Sequence, residues 1–166
     1  FEMCSISGIV TTSERECRVE ELRPAVARMN VALRHRGPDD NGIFEYESTA
    51  SSAGFVSLCI GNTRLAIIDT SSAGHQPMVD AETGICISYN GETYNFQQLR
   101  HEIGEQFGTW RSTTDTEVVL RAYKKWGLES LRRLRGMFAL AIWNPITREL
   151  ILARDPFGIK PLYYFV

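Results

Sequence analysis

Cys4, in the stretch "FEMCSISGIV", carries the most nucleophilic side chain available to this sequence. Attack requires the thiolate, and a cysteine outside an activating environment is mostly protonated at neutral pH, so Cys4 needs a base. If residues 1 to 3 are removed, a new α-amino group with a pKa of about 7.7 to 8.0 stands beside the thiol and can take its proton. Taken by itself, Cys4 reads equally as a small core residue at the start of a strand. A second constellation is "YNGETYN" at 89 to 95. Asn90 can offer a side-chain N–H, and Gly91 lets a backbone N–H approach a ligand closely, which makes two donors for a developing oxyanion. The competing reading is an Asn-Gly turn at the end of the strand "ICIS".

Charged residues in apolar or capping positions supply the remaining candidates. Arg64 lies in the apolar run "GNTRLAIID", where its guanidinium either forks onto a substrate carboxylate or pairs with an internal Asp or Glu. Asp115, at a predicted helix N-terminus, complements the helix dipole or holds a substrate ammonium group. "RHRGPDD" at 34 to 40 and "RDPFGIKP" at 154 to 161 read as turns pinned by salt bridges, the first with Arg36 able to close over a ligand. "GHQPM" at 74 to 78 reads as a structural loop, with His75 a weaker candidate for a general base.

These residues need a scaffold, and 166 residues with 43% hydrophobic and 23% charged content suit one globular domain. A formal charge of -2 without a basic run argues against nucleic acid, and no apolar stretch approaches the roughly 20 residues that span a bilayer. The start of the chain lacks the features of a signal peptide, so a cytoplasmic location is expected. Cys4, Cys17, Cys59 and Cys86 form no CxxC pair and His35, His75 and His101 lie far apart, so reduced thiols and no metal site are expected.

"SISGIV" predicts a buried strand, and Leu22, Val26, Met29 and Leu33 put an apolar stripe on a following helix whose first turn should contain Pro24. Further strands are predicted in "GIFEYE", "FVSLCIGNTRLAIID", "ICISY", "MFALAIW", "ELILAR" and "PLYYFV", with a hairpin turn at "WNPITRE" and an exposed loop at "YESTASSAG". "NFQQLRHEI" and "DTEVVLRAYKKWG" predict helices, the second with Val119, Tyr123 and Trp126 on one face, Gly127 as its stop, and Thr114 and Glu117 spaced as a capping box. Strands grouped between helices indicate an α+β fold with largely antiparallel sheets.

In this order, Met3-Cys4, "RHRGPDDNG", "RLAIID", "GHQPM", "YNGETYN", "TDTEVVL", "RGMFALAIW" and "RDPFGIKPLYY" resemble the glutaminase domain of the glutamine-hydrolysing asparagine synthetase family, a class II glutamine amidotransferase. The resemblance implies a four-layer αββα sandwich of the N-terminal-nucleophile hydrolase type. It makes Cys4 the nucleophile with its α-amino group as base, and Asn90 and Gly91 the oxyanion hole. Arg64 would hold the glutamine α-carboxylate and Asp115 its α-amino group, Glu92 would lie beside that subsite, and the loop of Arg36 would order over the substrate. No cofactor is implied for this domain; ATP and magnesium would serve an ammonia-accepting synthetase domain, and a homodimer is left open.

Phe1 and Glu2 precede Met3, so Cys4 as it stands has an amide nitrogen and the chain in this form should be inactive. Residues 1 to 3 read as a tag remnant or unprocessed leader, and 4 to 166 as the amidotransferase domain, ending before the strands and synthetase domain that family members carry. The competing functions are a catalytically silent regulatory or docking domain, an amidotransferase acting on a non-aspartate acceptor such as a surface-polysaccharide sugar, and a self-processing hydrolase cleaving before Cys4.

Overall fold

The computed structural model describes residues 3–13, 18–48 and 54–166, so Cys17 and positions 49–53 of the "YESTASSAG" loop lie outside the described residues. Strand β1 (Ser5–Ser13) leads to helix α1 (Val19–Leu33), then β2 (Asp40–Glu47) and β3 (Phe55–Arg64). A short β4 (Met78–Val79) precedes β5 (Cys86–Thr93), helices α2 (Phe96–Ile103) and α3 (Asp115–Trp126), a one-turn α4 (Ser130–Arg133), and the hairpin of β6 (Gly136–Asn144) and β7 (Glu149–Arg154).

Two antiparallel sheets result, one in the order β1-β3-β2 and the other β4-β5-β6-β7. Strand periodicity explains how they stack. In β3, Cys59 turns to one face and joins Leu22 and Val26 of α1, while Val56, Leu58 and Ile60 turn to the other and meet Cys86 of β5 and Trp143 of β6. In β5 and β6, Ile87, Tyr89, Phe138, Leu140 and Ile142 face away from the first sheet and pack on Leu99, Val118, Val119 and Tyr123 of α2 and α3. The layers are therefore helix, sheet, sheet, helix: the αββα sandwich that the family resemblance implied. Each fully buried Leu, Ile or Val contributes about 1.5 to 3 kcal/mol relative to exposure, so these three apolar interfaces carry the fold.

The layer between the sheets changes character along its length. Trp143 stacks at a tilt on Tyr46, with ring centroids 4.8 Å apart. Elsewhere the same layer is polar: Asn62 donates from Nδ2 to Ser88 Oγ at 3.0 Å and to Gln76 Oε1 at 3.4 Å. Gln76 Oε1 also accepts the Tyr89 amide at 2.7 Å.

Several expectations are corrected. The run predicted as a strand to Asp69 ends at Arg64, because the chain turns there to bring backbone carbonyls onto the guanidinium. "PLYYFV" is in no strand, and Tyr163, Tyr164, Phe165 and Val166 are exposed. On α1, Met29 is exposed and Asn30 is buried in its place, its amide held by Ser7 Oγ and the carbonyls of Gly42 and Asn62. The helix begins early enough that Pro24 is its sixth residue, beyond the first turn. Thr114 Oγ1 accepts the Glu117 amide, but Glu117 turns its carboxylate to the amides of Arg111 and Ser112 and to Arg121, so only half of the capping box forms. The "WNPITRE" turn forms, with Asn144 Oδ1 accepting the amides of Ile146 and Thr147.

Candidate active site

Antiparallel pairing of β1 with β3 places Ser5 opposite Thr63, and their hydroxyls are 2.6 Å apart. One residue before that pair, Cys4 lies against the first residues after β3: the Leu65 amide donates to Cys4 Sγ at 3.4 Å. Cys4 is half-buried, and burial pushes its thiol up, while the Leu65 amide and then the positive charge of Arg64 pull it back and Asp115 adds a smaller upward push. The resting group is the thiol, so reaction requires a base to remove its proton.

Arg64, the last residue of β3, is 5% exposed. Its guanidinium donates to the carbonyls of Asp69 and, at 3.2 Å, of Ser71. Among the described residues it forms no ion pair with a carboxylate, so the internal Asp or Glu partner considered from sequence is absent there and its charge is unneutralised. Gly74 makes this placement possible, since a Cβ there would lie 2.0 Å from Arg64 Nη2. Asp69 fixes the same loop, its carboxylate accepting from the amide and hydroxyl of both Ser71 and Thr113. That set of donors holds the Asp69 carboxyl well below the usual range, led by the Ser71 hydroxyl.

Asp115 is the first residue of α3 and is buried. Its Oδ2 accepts the Thr93 amide at 2.9 Å, tying the helix start to the end of β5. Burial raises its pKa to about 6 against the lowering effect of backbone donors. Asn90 belongs to the face of β5 that looks toward the first sheet, and its buried Oδ1 has no hydrogen-bond partner among the described residues. The Asn90-Gly91 pair lies inside β5 and not in a turn after it. Gly91 sits opposite Phe138 so closely that a Cβ would lie 2.4 Å from the Met137 carbonyl oxygen.

One cavity of about 100 Å³ collects these groups: Cys4, Arg64, Asn90, Gly91, Glu92 and Asp115 all line it. Its two buried charges have opposite sign, with a thiol and a carboxamide beside them. Glu92 is exposed at its edge. Arg36 is not among the lining residues; its carbonyl accepts the Met3 amide at 2.6 Å. His75 lies outside the cavity too, half-exposed and paired with Asp40 at 2.8 Å. Among the described residues no salt bridge pins the "RDPFGIKP" turn: the buried Asp155 carboxylate accepts the amides of Phe138, Phe157, Ile159 and Lys160.

Sequence reasoning missed Gln76, Asp69 and Lys160. Gln76 lines the cavity and is buried among hydrogen bonds from β3, β5 and α3, yet in sequence it is one polar residue in a loop. Lys160 is buried with its Nζ on Met3 Sδ at 2.9 Å, a contact across 157 positions that no local signal announces.

This αββα architecture is shared with a solved structure, the glutamine phosphoribosylpyrophosphate amidotransferase of Bacillus subtilis, at a TM-score of 0.69 and 22% identity over 94% of this chain and 38% of that one. The chain belongs to the glutamine amidotransferase domain family, whose profile matches residues 3–166. It is 39% identical to asparagine synthetase [glutamine-hydrolyzing] 1 of Bacillus subtilis over 98% of its own length and 24% of that protein. It is also 34% identical to amidase chry2 of Gibberella zeae, over 99% of its length and 24% of that relative. The chain thus spans about a quarter of the length of these relatives. Among the described residues no helix is long and apolar enough to cross a membrane, and no three His, Cys, Asp or Glu residues are grouped to hold a metal ion.

Proposed function

We propose that this domain hydrolyses glutamine to glutamate and ammonia through a γ-glutamyl thioester on Cys4. The observation that carries the reading is the cavity pairing an unneutralised Arg64 with a buried Asp115 next to the Cys4 thiol. A free amino acid presents the complementary α-carboxylate and α-ammonium pair, and the side-chain amide of glutamine then extends toward the thiol. Glu92, at the cavity edge, contributes to the ammonium subsite. Arg36 acts through its loop beside the N-terminal segment and not through the cavity wall.

In the reaction, the Cys4 α-amino group, freed by removal of residues 1 to 3, takes the thiol proton. The thiolate adds to the amide carbon, and Asn90 with the Gly91 amide stabilises the tetrahedral oxyanion; one such donor is worth about 100- to 1000-fold in rate. The α-ammonium returns its proton to the leaving nitrogen and ammonia departs. Water, deprotonated by the same amine, attacks the thioester carbonyl, releasing glutamate and the thiol. With an amide nitrogen at Cys4 the chain binds glutamine but does not turn it over.

Ammonia then passes to a synthetase partner that uses ATP and magnesium, in the cytoplasm. The acceptor is aspartate, in line with the asparagine synthetase name of one relative, with a non-aspartate acceptor such as a surface-polysaccharide sugar as the alternative. The test is glutamate release from glutamine by the chain beginning at Cys4, beside Cys4→Ala and the chain still carrying residues 1 to 3. Release from the first alone is expected; equal release from the first and Cys4→Ala would overturn the assignment of the nucleophile.

A further inference from the structure

Lys160 is 3% exposed, and its ammonium donates to the thioether of Met3 at 2.9 Å. A thioether is a weak acceptor, and among the described residues no carboxylate comes within ion-pair range of this nitrogen. The nearby Asp155 carboxylate is occupied by backbone amides, including that of Lys160 itself. A buried, poorly neutralised cation is costly to a fold, and such groups concentrate at functional sites. We propose that Lys160 is a positioning residue for the reaction: its ammonium, one methionine away from Cys4, holds the freed Cys4 α-amino group in its neutral, proton-accepting form. The proposal rests on the reading of Cys4 as a nucleophile with its own amine as base.

The sign follows from like charges. A fixed cation disfavours the α-ammonium and so lowers the pKa of the amine, and the same field favours the thiolate. Lys160 is faced by Arg36, Asp155, Glu92 and Cys4, and Cys4 in turn by Arg64, Asp115 and the Leu65 amide. Burial, and after it Arg36, pulls the Lys160 pKa down, while Asp155, Glu92 and Cys4 hold it up. Removing Met3 takes away the thioether to which the ammonium donates and, with it, the amide that donates to the Arg36 carbonyl.

The experiment uses the chain beginning at Cys4, as parent, Lys160→Met, Lys160→Gln and Lys160→Arg. Two pH profiles are recorded from about pH 6 to pH 9: kcat/KM for glutamate release, and the rate of Cys4 alkylation by iodoacetamide without glutamine. A unit charge within about 12 Å, acting through an effective dielectric of about 20, moves an amine by at least about one unit, so the acidic limb of kcat/KM should move up by about one pH unit or more in Lys160→Met and Lys160→Gln. Rates should converge with the parent at high pH, and Lys160→Arg should keep the parental profile. A limb that stays in place in both neutral variants would overturn the proposal. If a neutral variant shows no turnover, its alkylation profile decides by the same criterion. A parent that alkylates but releases no glutamate would overturn the glutaminase reading, while the alkylation comparison would still report on Lys160.

Discussion

Asp115 should cost the free protein stability at neutral pH, and replacing it should make the domain more stable while destroying its ability to hold substrate. The carboxyl ordinarily titrates at 3.8 and in the folded chain at about 6, raised chiefly by burial. Between those values the folded state binds a proton that the unfolded state has lost, so the Asp115 contribution to stability carries no penalty below pH 3.8, worsens as pH rises to about 6, and stays unfavourable above. At about 1.36 kcal/mol per unit, the gap corresponds to a penalty of about 3 kcal/mol at neutral pH. Asn at this position is uncharged at every pH, and its Oδ1 can still accept the Thr93 amide that Asp115 accepts now.

The assay is urea or thermal unfolding of parent and Asp115→Asn from about pH 4 to pH 8, with and without glutamine. Without glutamine, the variant should exceed the parent by about 2 to 3 kcal/mol at neutral pH, a Tm gain of roughly 4 to 12 °C for a chain of this size. The difference should vanish towards pH 4. Glutamine should raise the Tm of the parent and leave that of the variant unchanged, because an α-ammonium paired with Asp115 needs the carboxylate. A variant less stable than the parent at neutral pH, or a difference independent of pH, would refute the reasoning.

Gly74→Ala should raise KM for glutamine with little loss of stability, since the new Cβ displaces the tip of Arg64 and no backbone; an unchanged KM would count against Arg64 as the carboxylate anchor. Asn90→Ala in the chain beginning at Cys4 should lower kcat by about 100- to 1000-fold with its circular dichroism unchanged, as expected for loss of one oxyanion donor. Asp155→Ala should destabilise the domain by about 3 kcal/mol or more in urea unfolding, because four backbone amides lose one buried acceptor.

The α+β class and its antiparallel sheets were legible because strand and helix periodicities differ, whereas the four-layer order was implied by the family resemblance alone. In the structure the alternation in "FVSLCIGNTR" puts Val56, Leu58 and Ile60 at one interface and Cys59 at another, a division that reading this run as a strand does not draw. Strand ends were less legible, since the apolar run "LAIID" continues the β-like pattern past Arg64, and only the carbonyls of Asp69 and Ser71 folding back on the guanidinium end it. Asn90 and Gly91 read in the sequence as oxyanion donors in a loop at the strand end, with an Asn-Gly turn as the competing reading, and their place inside β5 was not legible. Inside β5, the glycine is required by the close approach of Met137 and Phe138, a contact with β6 that lies far off in sequence. Asp155 was read as an ion-pair partner, but a carboxylate in a tight turn is equally suited to collect backbone amides, and composition does not distinguish the two.

The incompletely paired groups of the free protein have a common logic. Among the described residues Arg64 has carbonyls but no carboxylate, Asp115 carries a raised pKa in a buried position, Asn90 Oδ1 is unpartnered, and Lys160 rests on a thioether. Any one of them in an ordinary core would favour replacement by an apolar residue of similar size. Together they divide into two sets: Arg64 and Asp115 are complementary to the two ends of a zwitterion, while Asn90 and Lys160 bear on the charges that appear on the oxygen and nitrogen during reaction. Under the proposed function, substrate binding should relieve the first set and not the second. Glutamate, which keeps the same α-carboxylate and α-ammonium, should therefore stabilise the parent against unfolding nearly as well as glutamine does, whereas an amide lacking the α-amino group should not.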